Sequence, residues 1–391
     1  MKKTIITVLL VIAALIVGVG LGYQFPFGEK SVENKLFHQV IGSPKSVADS
    51  TGKKPKNIIF MVGDGMGVSQ IYAGLTANKG SLNLEAFKHI GFCKTNSGSD
   101  YITDSAAGAT AFSIGKKTYN GAIGVDADTI PRETILETAA RYGLSTGLVS
   151  TSQITHATPA SFIAHQPSRH MYEDIAADFL KTDIEVFIGG GKDDFVDRED
   201  GKDLTADLKA KGYEVCFDID AVEKSESGRL AGLLAPVGMP KVMESRGDML
   251  VKSSEKAISI LQQEEKGFFL MIEGSQIDWG GHANDAEYVI TEMLDFDKTI
   301  GEVLKWAEQD GETLVVVTSD HETGGLSIDG GNIEEGKVEA NFSSTHHTSV
   351  MVPVFAYGPG AEEFMGIYHN TEIYGKFMSL YGFDKEAVSL K

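Results

Sequence analysis

The chain of 391 residues is long enough for one large α/β domain or two ordinary ones, and its composition is that of a globular protein. Its formal net charge of -20 at pH 7 argues against a nucleic-acid partner, because no basic stretch offsets the repulsion of a phosphate backbone. A small phosphorylated ligand is not excluded, since bound metal ions can reverse the field locally. The two cysteines, Cys93 and Cys216, exclude a disulfide scaffold and a cysteine-based zinc site, so any metal must be held by histidines and carboxylates.

The N-terminus has the pattern of an export signal. Two lysines precede an uncharged apolar stretch over residues 5–21, which is typical of a signal peptide or a signal-anchor. We expect residues 1–22 to direct the chain to the periplasm or outside the cell, and to tether it to the membrane if they are retained. Residues 23–55 are predicted to be a linker.

Several short apolar runs have the character of buried parallel strands, and each is followed by polar or small residues and then a helical pattern. These runs are 57–62, 146–151, 186–190, 268–273 and 313–320. Helical spacing occurs in the intervening segments 132–142, 249–263 and 289–307. Because strands and helices alternate, we predict an α/β fold, a three-layer sandwich with a central, mainly parallel β-sheet covered by helices on both faces.

Acidic and histidine side chains stand at the ends of three of these strands. The first run is followed by Asp64, the fourth ends in Glu273 with Asp278 close behind, and the fifth ends in Asp320 and His321. In parallel sheets the functional site lies beyond the carboxyl ends of the strands, so we expect these side chains to converge. Crowded carboxylates repel one another unless cations lie among them. The pattern therefore predicts a metal cluster.

Two of these strand ends allow other interpretations. The sequence GDGMG, residues 63–67, could be a dinucleotide-binding loop, but its glycine spacing falls short of G-x-G-x-x-G and Asp64 would repel a pyrophosphate. In EGSQIDWGGH, residues 273–282, Asp278 and His282 are four positions apart, so they could face one ion or belong to an incidental surface turn. The two adjacent glycines favour a loop over a helical turn.

The motif DSAAGAT, residues 104–110, leaves two interpretations open. Asp104 and Ser105 are both good N-cap residues, so the motif could simply begin a helix. Ser105 could also be a reactive serine, because a helix start offers free amides and partial positive charge to an anion. The seven residues alone favour the plain cap.

The stretch THATPASFIAHQPSR, residues 155–169, predicts a helix that begins at Pro159 with Thr158 as its cap. The predicted helix does not account for Arg169. Its planar and permanently charged guanidinium is suited to binding two oxygens of a phosphate.

Taken together, the motifs resemble those of the alkaline phosphatase family. ITDSAAGAT, KTYNGAIGVD, HATPASFIAH and EGSQIDWGGH occur in that family's order, and the resemblance runs from about residue 56 to about residue 381. It implies that residues 56–391 are an alkaline phosphatase catalytic domain. The domain is then expected to hydrolyse phosphate monoesters through a phosphoserine at Ser105, with Arg169 binding the phosphate.

The resemblance also implies a cofactor set of two Zn²⁺ and one Mg²⁺, and a homodimer. The implied ligands are Asp278, His282 and His347 for the first zinc, Asp64, Asp320 and His321 for the second, and Asp64, Thr158 and Glu273, with His156, for magnesium. His347 is preferred to its neighbour His346 because it stands six residues before Pro353, the usual distance in similar sequences.

Two positions depart from the pattern of many bacterial members. His156 stands where those members have Asp, and Trp279 stands where they have Lys, both near the third metal and the bound phosphate. His156 could ligate the third ion directly or through water. Trp279 removes a cation from the surroundings of the phosphate, so we expect weaker retention of the product. The segment 328–344 is also short where many relatives carry a large insertion.

Two other kinds of function compete with this expectation. A relative of the same architecture could act on phosphodiesters or sulfate esters, but Ser105, Arg169 and a third metal site together favour monoesters. An exported metal- or phosphate-binding protein without catalysis would have no need of a hydroxyl at position 105 or of the full ligand set.

Overall fold

The computed structural model of the chain describes residues 30–33 and 52–383. The predicted signal segment, residues 1–22, lies outside the described residues, as does most of the predicted linker. Within the described ranges, no helix is both long and apolar enough to cross a membrane. Export and a membrane tether therefore stay predictions.

The strands of the described chain are numbered in the order in which they follow one another. They are β1 Lys30–Glu33, β2 Asn57–Gly63, β3 His89–Lys94, β4 Ser145–Gln153, β5 Val186–Gly190, β6 Glu214–Cys216, β7 Leu230–Leu233, β8 Phe268–Gly274, β9 Thr313–Thr318, β10 Glu322–Thr323, β11 Leu326–Asn332, β12 Lys337–Phe342, β13 His347–Thr348, β14 Val352–Tyr357 and β15 Gly366–His369.

The helices lie between these strands and after the last of them. They are α1 Val68–Ala77, α2 Ser105–Ile114, α3 Ile135–Arg141, α4 Ala157–Ala160, α5 Tyr172–Asp178, α6 Lys192–Val196, α7 Leu204–Ala210, α8 Ile219–Lys224, α9 Met249–Leu261, α10 Gln276–His282, α11 Ala286–Asp310 and α12 Thr371–Tyr381. Short 3₁₀ helices span Asn83–Ala86 and Ala361–Phe364, and a π-helical turn spans Val242–Arg246.

In the described part of the chain, ten strands form one sheet in the order β15-β3-β14-β9-β2-β8-β4-β5-β7-β6. Neighbouring strands are parallel, except that β14 runs antiparallel to both β3 and β9. At the centre, Met61 of β2 lies level with Ile272 of β8 and with Val317 of β9. This register brings the carboxyl ends of the three central strands to one edge of the sheet.

Helices cover both faces of the sheet, because the side chains of the central strands alternate between two cores. Ile58 and Phe60 of β2 pack into one apolar core together with α2 and α12. Ile59 and Met61 pack into the other, together with α1, α9 and α11. All four side chains are fully buried, as expected for a strand that is covered on both sides. The predicted three-layer α/β sandwich is confirmed.

Smaller sheets extend the fold beside this edge. Strands β1, β12 and β11 form a three-stranded antiparallel sheet, and β10 pairs with β13. The strands predicted from the apolar runs are all present, and the predicted helices 132–142, 249–263 and 289–307 correspond to α3, α9 and α11.

Two local predictions were wrong. The helix expected from Pro159 is the four-residue α4, which begins at Ala157 with His156 at its N-cap, so Thr158 lies inside it. The loop expected around Gly280 and Gly281 is helix α10. A Cβ atom at Gly280 would lie 2.7 Å from the amide nitrogen of Val289, and one at Gly281 would lie 2.8 Å from the carbonyl oxygen of Thr323. The glycines are needed for close packing rather than for a loop.

A buried ion-pair network joins the π-helical turn to α11. The guanidinium of Arg246 is fully buried, donates to Glu292 and lies 2.9 Å from a carboxylate oxygen of Asp295. The other Glu292 oxygen accepts from the amide of Val242 at 3.0 Å. The segment before α9 is therefore fixed to the long helix by charges that have no access to water.

Replacing Arg246 with Met should lower the free energy of unfolding by about 3–5 kcal/mol, because two buried carboxylates lose their counter-ion. Urea unfolding followed by circular dichroism measures this loss. As a control, Lys298→Met removes a half-exposed pair with Asp248 and should cost at most about 1 kcal/mol. If both variants lost the same unfolding free energy, the stabilising role of the buried Arg246 network would be contradicted.

The same variant should show a specific pH dependence. Burial raises the pKa of both Glu292 and Asp295 despite the nearby guanidinium. Removing Arg246 raises these pKa values further, so the folded state binds protons more tightly than the unfolded state does. The stability deficit of Arg246→Met should therefore narrow as the pH falls from 8 to 5.

Candidate active site

The site begins at the carboxyl end of β2, where the chain turns sharply. Asp64 follows the strand directly and is fully buried. Gly65 has a φ of +74°, and a Cβ atom there would lie 2.7 Å from the Cα atom of Asp278. Glycine is therefore required both by the turn and by the close approach of α10. Neither carboxylate oxygen of Asp64 has a hydrogen-bond partner among the described residues.

Ser105 is the first residue of α2, and its helix start is well built. Asp104 is the N-cap, and one of its carboxylate oxygens accepts from the amide of Ala107 at 2.9 Å. The other oxygen accepts from Nη1 of Arg169 at 3.1 Å. The cap interpretation of DSAAGAT is confirmed, and Asp104 also holds the arginine beside the serine.

A first group of metal-ligating atoms is formed by Asp278, His282 and His347. Each imidazole directs Nδ1 to a backbone carbonyl, that of Thr345 at 2.7 Å for His282 and that of Thr103 at 2.9 Å for His347. The two Nε2 atoms face each other at 3.1 Å, and each lies within 3.5 Å of Asp278 Oδ1.

This arrangement fits a shared cation. Burial and the neighbouring His321 lower the pKa of His347 to about 4, so the ring is neutral at pH 7. With Nδ1 donating to a carbonyl, Nε2 of His347 presents its lone pair to the space beside Nε2 of His282 and Asp278 Oδ1. Two imidazole nitrogens and a carboxylate oxygen gathered in this way suit a shared positive ion. His346 is exposed and is not part of this group.

A second group surrounds Nε2 of His321. This atom lies 3.2 Å from Asp320 Oδ2, 3.5 Å from Asp64 Oδ1 and 3.3 Å from the hydroxyl of Ser105. A catalytic triad would place a carboxylate on the imidazole nitrogen away from the serine. Here both carboxylates lie at the nitrogen that faces the serine. The donor set therefore resembles the ligands of a cation next to Ser105, and Asp278 also lies within its reach.

A third group lies deeper, around Glu273 on β8. Its Oε2 accepts from the hydroxyls of Ser150 and Ser275, both at 2.6 Å, while Oε1 has no partner among the described residues. The hydroxyl of Thr158 is likewise buried without a partner. Asp64, His156 and Glu273 lie close enough together to share one ion. Hard oxygen donors of this kind suit Mg²⁺.

His156 connects this third group to the arginine. Its Nε2 lies 3.2 Å from Nη2 of Arg169, and its Nδ1 is buried without a partner in the described structure. The ring meets the indole of Trp279 edge to face, with 6.1 Å between centroids. Burial and the charge of Arg169 lower the pKa of His156 to about 3, so the ring is neutral. Arg169 can only donate, and a neutral imidazole has one lone pair. His156 can therefore accept from Arg169 or ligate an ion directly, but it cannot do both.

Two carboxylates at this edge, those of Asp64 and Glu273, have raised pKa values. Burial, and then the charges of Asp320, Asp278 and Glu273, raise the pKa of Asp64 well above its usual range. Burial also raises the pKa of Glu273 to about 7, although the hydroxyls of Ser150 and Ser275 oppose the shift. Cations bound among these groups would displace the protons and offset the repulsion.

The structure brings all the predicted site residues to one place. Ser105, Arg169, His156, Trp279 and the predicted ligands converge at the carboxyl edge of the sheet. Some functional groups were not predicted from the sequence. They are the hydroxyls of Ser150, Ser152 and Ser275, which donate to Glu273, and the hydroxyl of Thr323, which donates to Asp278. The polar tail of β4 was the available signal, because hydroxyls at a buried strand end need a partner.

Comparison with known sequences agrees with this geometry. A profile of the family described as Alkaline phosphatase matches residues 55–341. Alkaline phosphatase 3 of Bacillus subtilis (strain 168) is 36% identical, over 81% of this chain and 87% of its own length. The chain belongs to the alkaline phosphatase family. It is therefore a phosphoric monoester hydrolase, and family membership favours monoesters over the diester, sulfate-ester and non-catalytic alternatives.

Solved structures agree as well. The alkaline phosphatase from the Antarctic bacterium TAB5 superposes with a TM-score of 0.81 at 44% identity, covering 85% of this chain and 99% of its own. A variant of that enzyme with a histidine replaced by aspartate was solved with Mg bound in its M3 site, and it superposes with a TM-score of 0.80 over the same shares. The predicted short bacterial type of alkaline phosphatase agrees with this likeness.

Two substitutions at Asp104 should separate its two roles. Asp104→Asn keeps an equally good N-cap but turns an amide towards Arg169, so phosphate inhibition should weaken several-fold with the unfolding free energy within about 0.5 kcal/mol of wild type. Asp104→Ala should weaken phosphate binding and also lose about 0.5–2 kcal/mol of stability. Inhibition constants and urea unfolding measure both effects. An Asn variant with wild-type phosphate inhibition would show that the ion pair does not orient Arg169.

Proposed function

We propose that this alkaline phosphatase acts through a covalent phosphoserine at Ser105. The observation that supports this most directly is the position of the hydroxyl. It lies at the start of a capped, ten-residue helix, 3.3 Å from His321 and on the same edge as Arg169. A phosphoryl group placed there meets the first-turn amides of α2, whose partial positive charge suits phosphate oxygens.

The residues fit three cations. Asp278, His282 and His347 would hold the first Zn²⁺. Asp64 and Asp320, which both lie near Nε2 of His321, would hold the second Zn²⁺ with it. The buried oxygens of Asp64, Thr158 and Glu273 would hold Mg²⁺. The opposed Nε2 atoms and the unpartnered oxygens of Asp64, Thr158 and Glu273 support this assignment. When bound, such ions supply Lewis acidity that lowers the pKa of a nearby hydroxyl and offsets charge on oxygens attached to phosphorus.

Ser105 gives its hydroxyl proton to solvent water, and its Oγ atom attacks phosphorus in line with the ester oxygen. The Oγ–P bond forms as the P–O bond to the leaving alcohol breaks, and the alcohol oxygen takes a proton from water. Water then attacks the phosphoserine from the opposite side, which releases inorganic phosphate and restores the hydroxyl. Through both steps Arg169 holds the two oxygens that do not react, as its bidentate fork allows.

His156 is assigned to Arg169 rather than directly to the magnesium site. Its single lone pair accepts the second guanidinium nitrogen, and Asp104 accepts the first. Two acceptors fix the plane of the guanidinium before phosphate arrives. With Nδ1 protonated, His156 can still donate to a water molecule that belongs to the third ion.

We also propose that the protein is exported, that residues 5–21 tether it to the membrane if they are retained, and that it forms a homodimer. The support for export is the charged and apolar pattern of residues 1–22. The homodimer is expected from the family resemblance.

Replacing Ser105 with Ala should abolish covalent labelling by radioactive phosphate and lower kcat by about 10³-fold or more. Zinc and magnesium contents should stay at wild-type levels, because the serine is outside the three ligand groups. Ser113→Ala is the matched control, since Ser113 lies in the same helix and donates to the carbonyl of Thr110. Labelling of the Ser105→Ala variant at the wild-type level would sink the nucleophile assignment.

Replacing Trp279 with Lys should strengthen inhibition by inorganic phosphate. The added cation would stand beside His156 and Arg169, and a tenfold lower inhibition constant would correspond to ~1.4 kcal/mol of added attraction. Trp279→Met removes the indole without adding charge and should not tighten inhibition. The idea that Trp279 favours product release would fail if the Lys and Met variants had equal inhibition constants.

A further inference from the structure

A glycine far from the site in sequence lies against the indole of Trp279. A Cβ atom at Gly238 would lie 2.6 Å from Cη2 and 3.3 Å from Cζ3 of that ring. The φ of Gly238 is not positive, so its backbone would accept any residue. What excludes a side chain at position 238 is therefore the contact with the indole.

The loop that carries Gly238 cannot move away from the ring. On one side, the amides of Gly191, Lys192 and Asp193 donate to the carbonyls of residues 237, 235 and 236 at 2.7, 2.9 and 3.0 Å. On the other side, Nε2 of the fully buried Gln276 donates to the carbonyl of Met239 at 2.8 Å. These bonds clamp residues 235–239 between α6 and α10.

The anchor on α10 is itself held. Gln276 also donates to the carbonyl of Thr151 at 2.8 Å and accepts from the hydroxyl of Tyr288 at 2.7 Å. Farther along the loop, Nη1 of Arg246 donates to the carbonyl of Pro240 at 3.3 Å. Both ends of the segment are thus fixed to buried groups, so an added methyl group at position 238 must displace the indole instead.

The indole passes such a displacement to the phosphate-binding arginine. Its ring is packed edge to face against His156, and His156 is the acceptor for Nη2 of Arg169. His156 is partly buried and is held between the indole and the guanidinium, so a shift of its ring changes that hydrogen bond. The order of contact is Gly238, Trp279, His156 and then Arg169.

We propose that Gly238 is a positioning residue for phosphate binding, because the absence of its side chain sets the place of Trp279 and, through His156, the orientation of Arg169. This inference rests on the proposed role of Arg169. It assigns the wall of the phosphate site to a loop between β7 and α9 that holds none of the metal-ligating groups.

The protein offers a direct optical readout, because Trp279 and Trp306 are its two tryptophans. Trp306 packs on Phe268 and can be replaced by Phe, which leaves Trp279 as the reporter. In this Trp306→Phe background of the full chain, Gly238→Ala should shift the indole emission. It should also raise the dissociation constant of inorganic phosphate by about threefold or more, since a small misplacement of a binding group is costly.

Gly228→Ala is the matched control. Gly228 also lacks a positive φ, and a Cβ atom there meets nothing within 4 Å, so both readouts should equal those of the background. If Gly238→Ala changes the emission without weakening phosphate, or weakens phosphate without changing the emission, the inference is overturned. Metal content should be unchanged in both variants.

A size-compensating double variant tests the route. Trp279→Phe makes room for a methyl group at position 238, so Gly238→Ala should add no further loss of phosphate affinity in that background, even if the single variant folds poorly. Additive losses would overturn the inference.

The variant Arg169→Ala distinguishes a failure of the proposed role of Arg169 from a failure of the proposed role of Gly238. If it leaves phosphate affinity unchanged, the proposed role of Arg169 fails. If it weakens phosphate while Gly238→Ala does not, only the role of Gly238 fails.

Discussion

The functional edge of this sheet is shaped by the cost of burying several carboxylates close together. Asp64, Glu273, Asp278 and Asp320 are each at most 4% exposed. Asp64 could share one ion with Asp278 and another with Glu273. A fold can keep such a cluster only with protons or cations among the charges. The hydroxyls that donate to Glu273 and the carbonyls that accept from His282 and His347 hold these side chains in orientations that suit the binding of positive ions. Cations bound at this edge would therefore offset a cost that the fold itself imposes.

The parts of the fold that could be predicted are those in which each residue carries its own signal. The strand β2 is apolar on both faces, so its burial and the exit of Asp64 follow from the local sequence. The role of Ser150 could not be predicted in this way. It depends on the register that sets Ser150 of β4 level with Glu273 of β8, 123 residues away in the chain. Pairings of this range are decided by the assembled sheet.

The wrong prediction of a loop at α10 has a physical cause. Adjacent glycines indicate a turn when only their backbone freedom is considered, but in α10 they allow Val289 and Thr323 to approach. The same ambiguity applies to Gly238, whose neighbour in space is an aromatic ring. A glycine can be needed for its backbone freedom or for the absence of a side chain, and the sequence alone does not distinguish the two. The ion pair of Asp104 with Arg169 was hidden for a simpler reason, since nothing local links residues 65 positions apart.

The antiparallel direction of β14 also determines which segment of the chain can vary in length without disturbing the site. His347 comes before β14 in the chain, whereas Asp64 follows β2 and Asp320 and His321 follow β9, so the chain must leave the site after β9 and return to the same edge. The short ladder of β10 with β13 closes that excursion at its base, through Glu322 with Thr348 and Thr323 with His347. Closure is thus already established before the β11–β12 hairpin begins, and lengthening the hairpin adds only a slowly growing entropy cost. The hairpin can therefore vary in length and sequence while the ladder at its base keeps His347 in place.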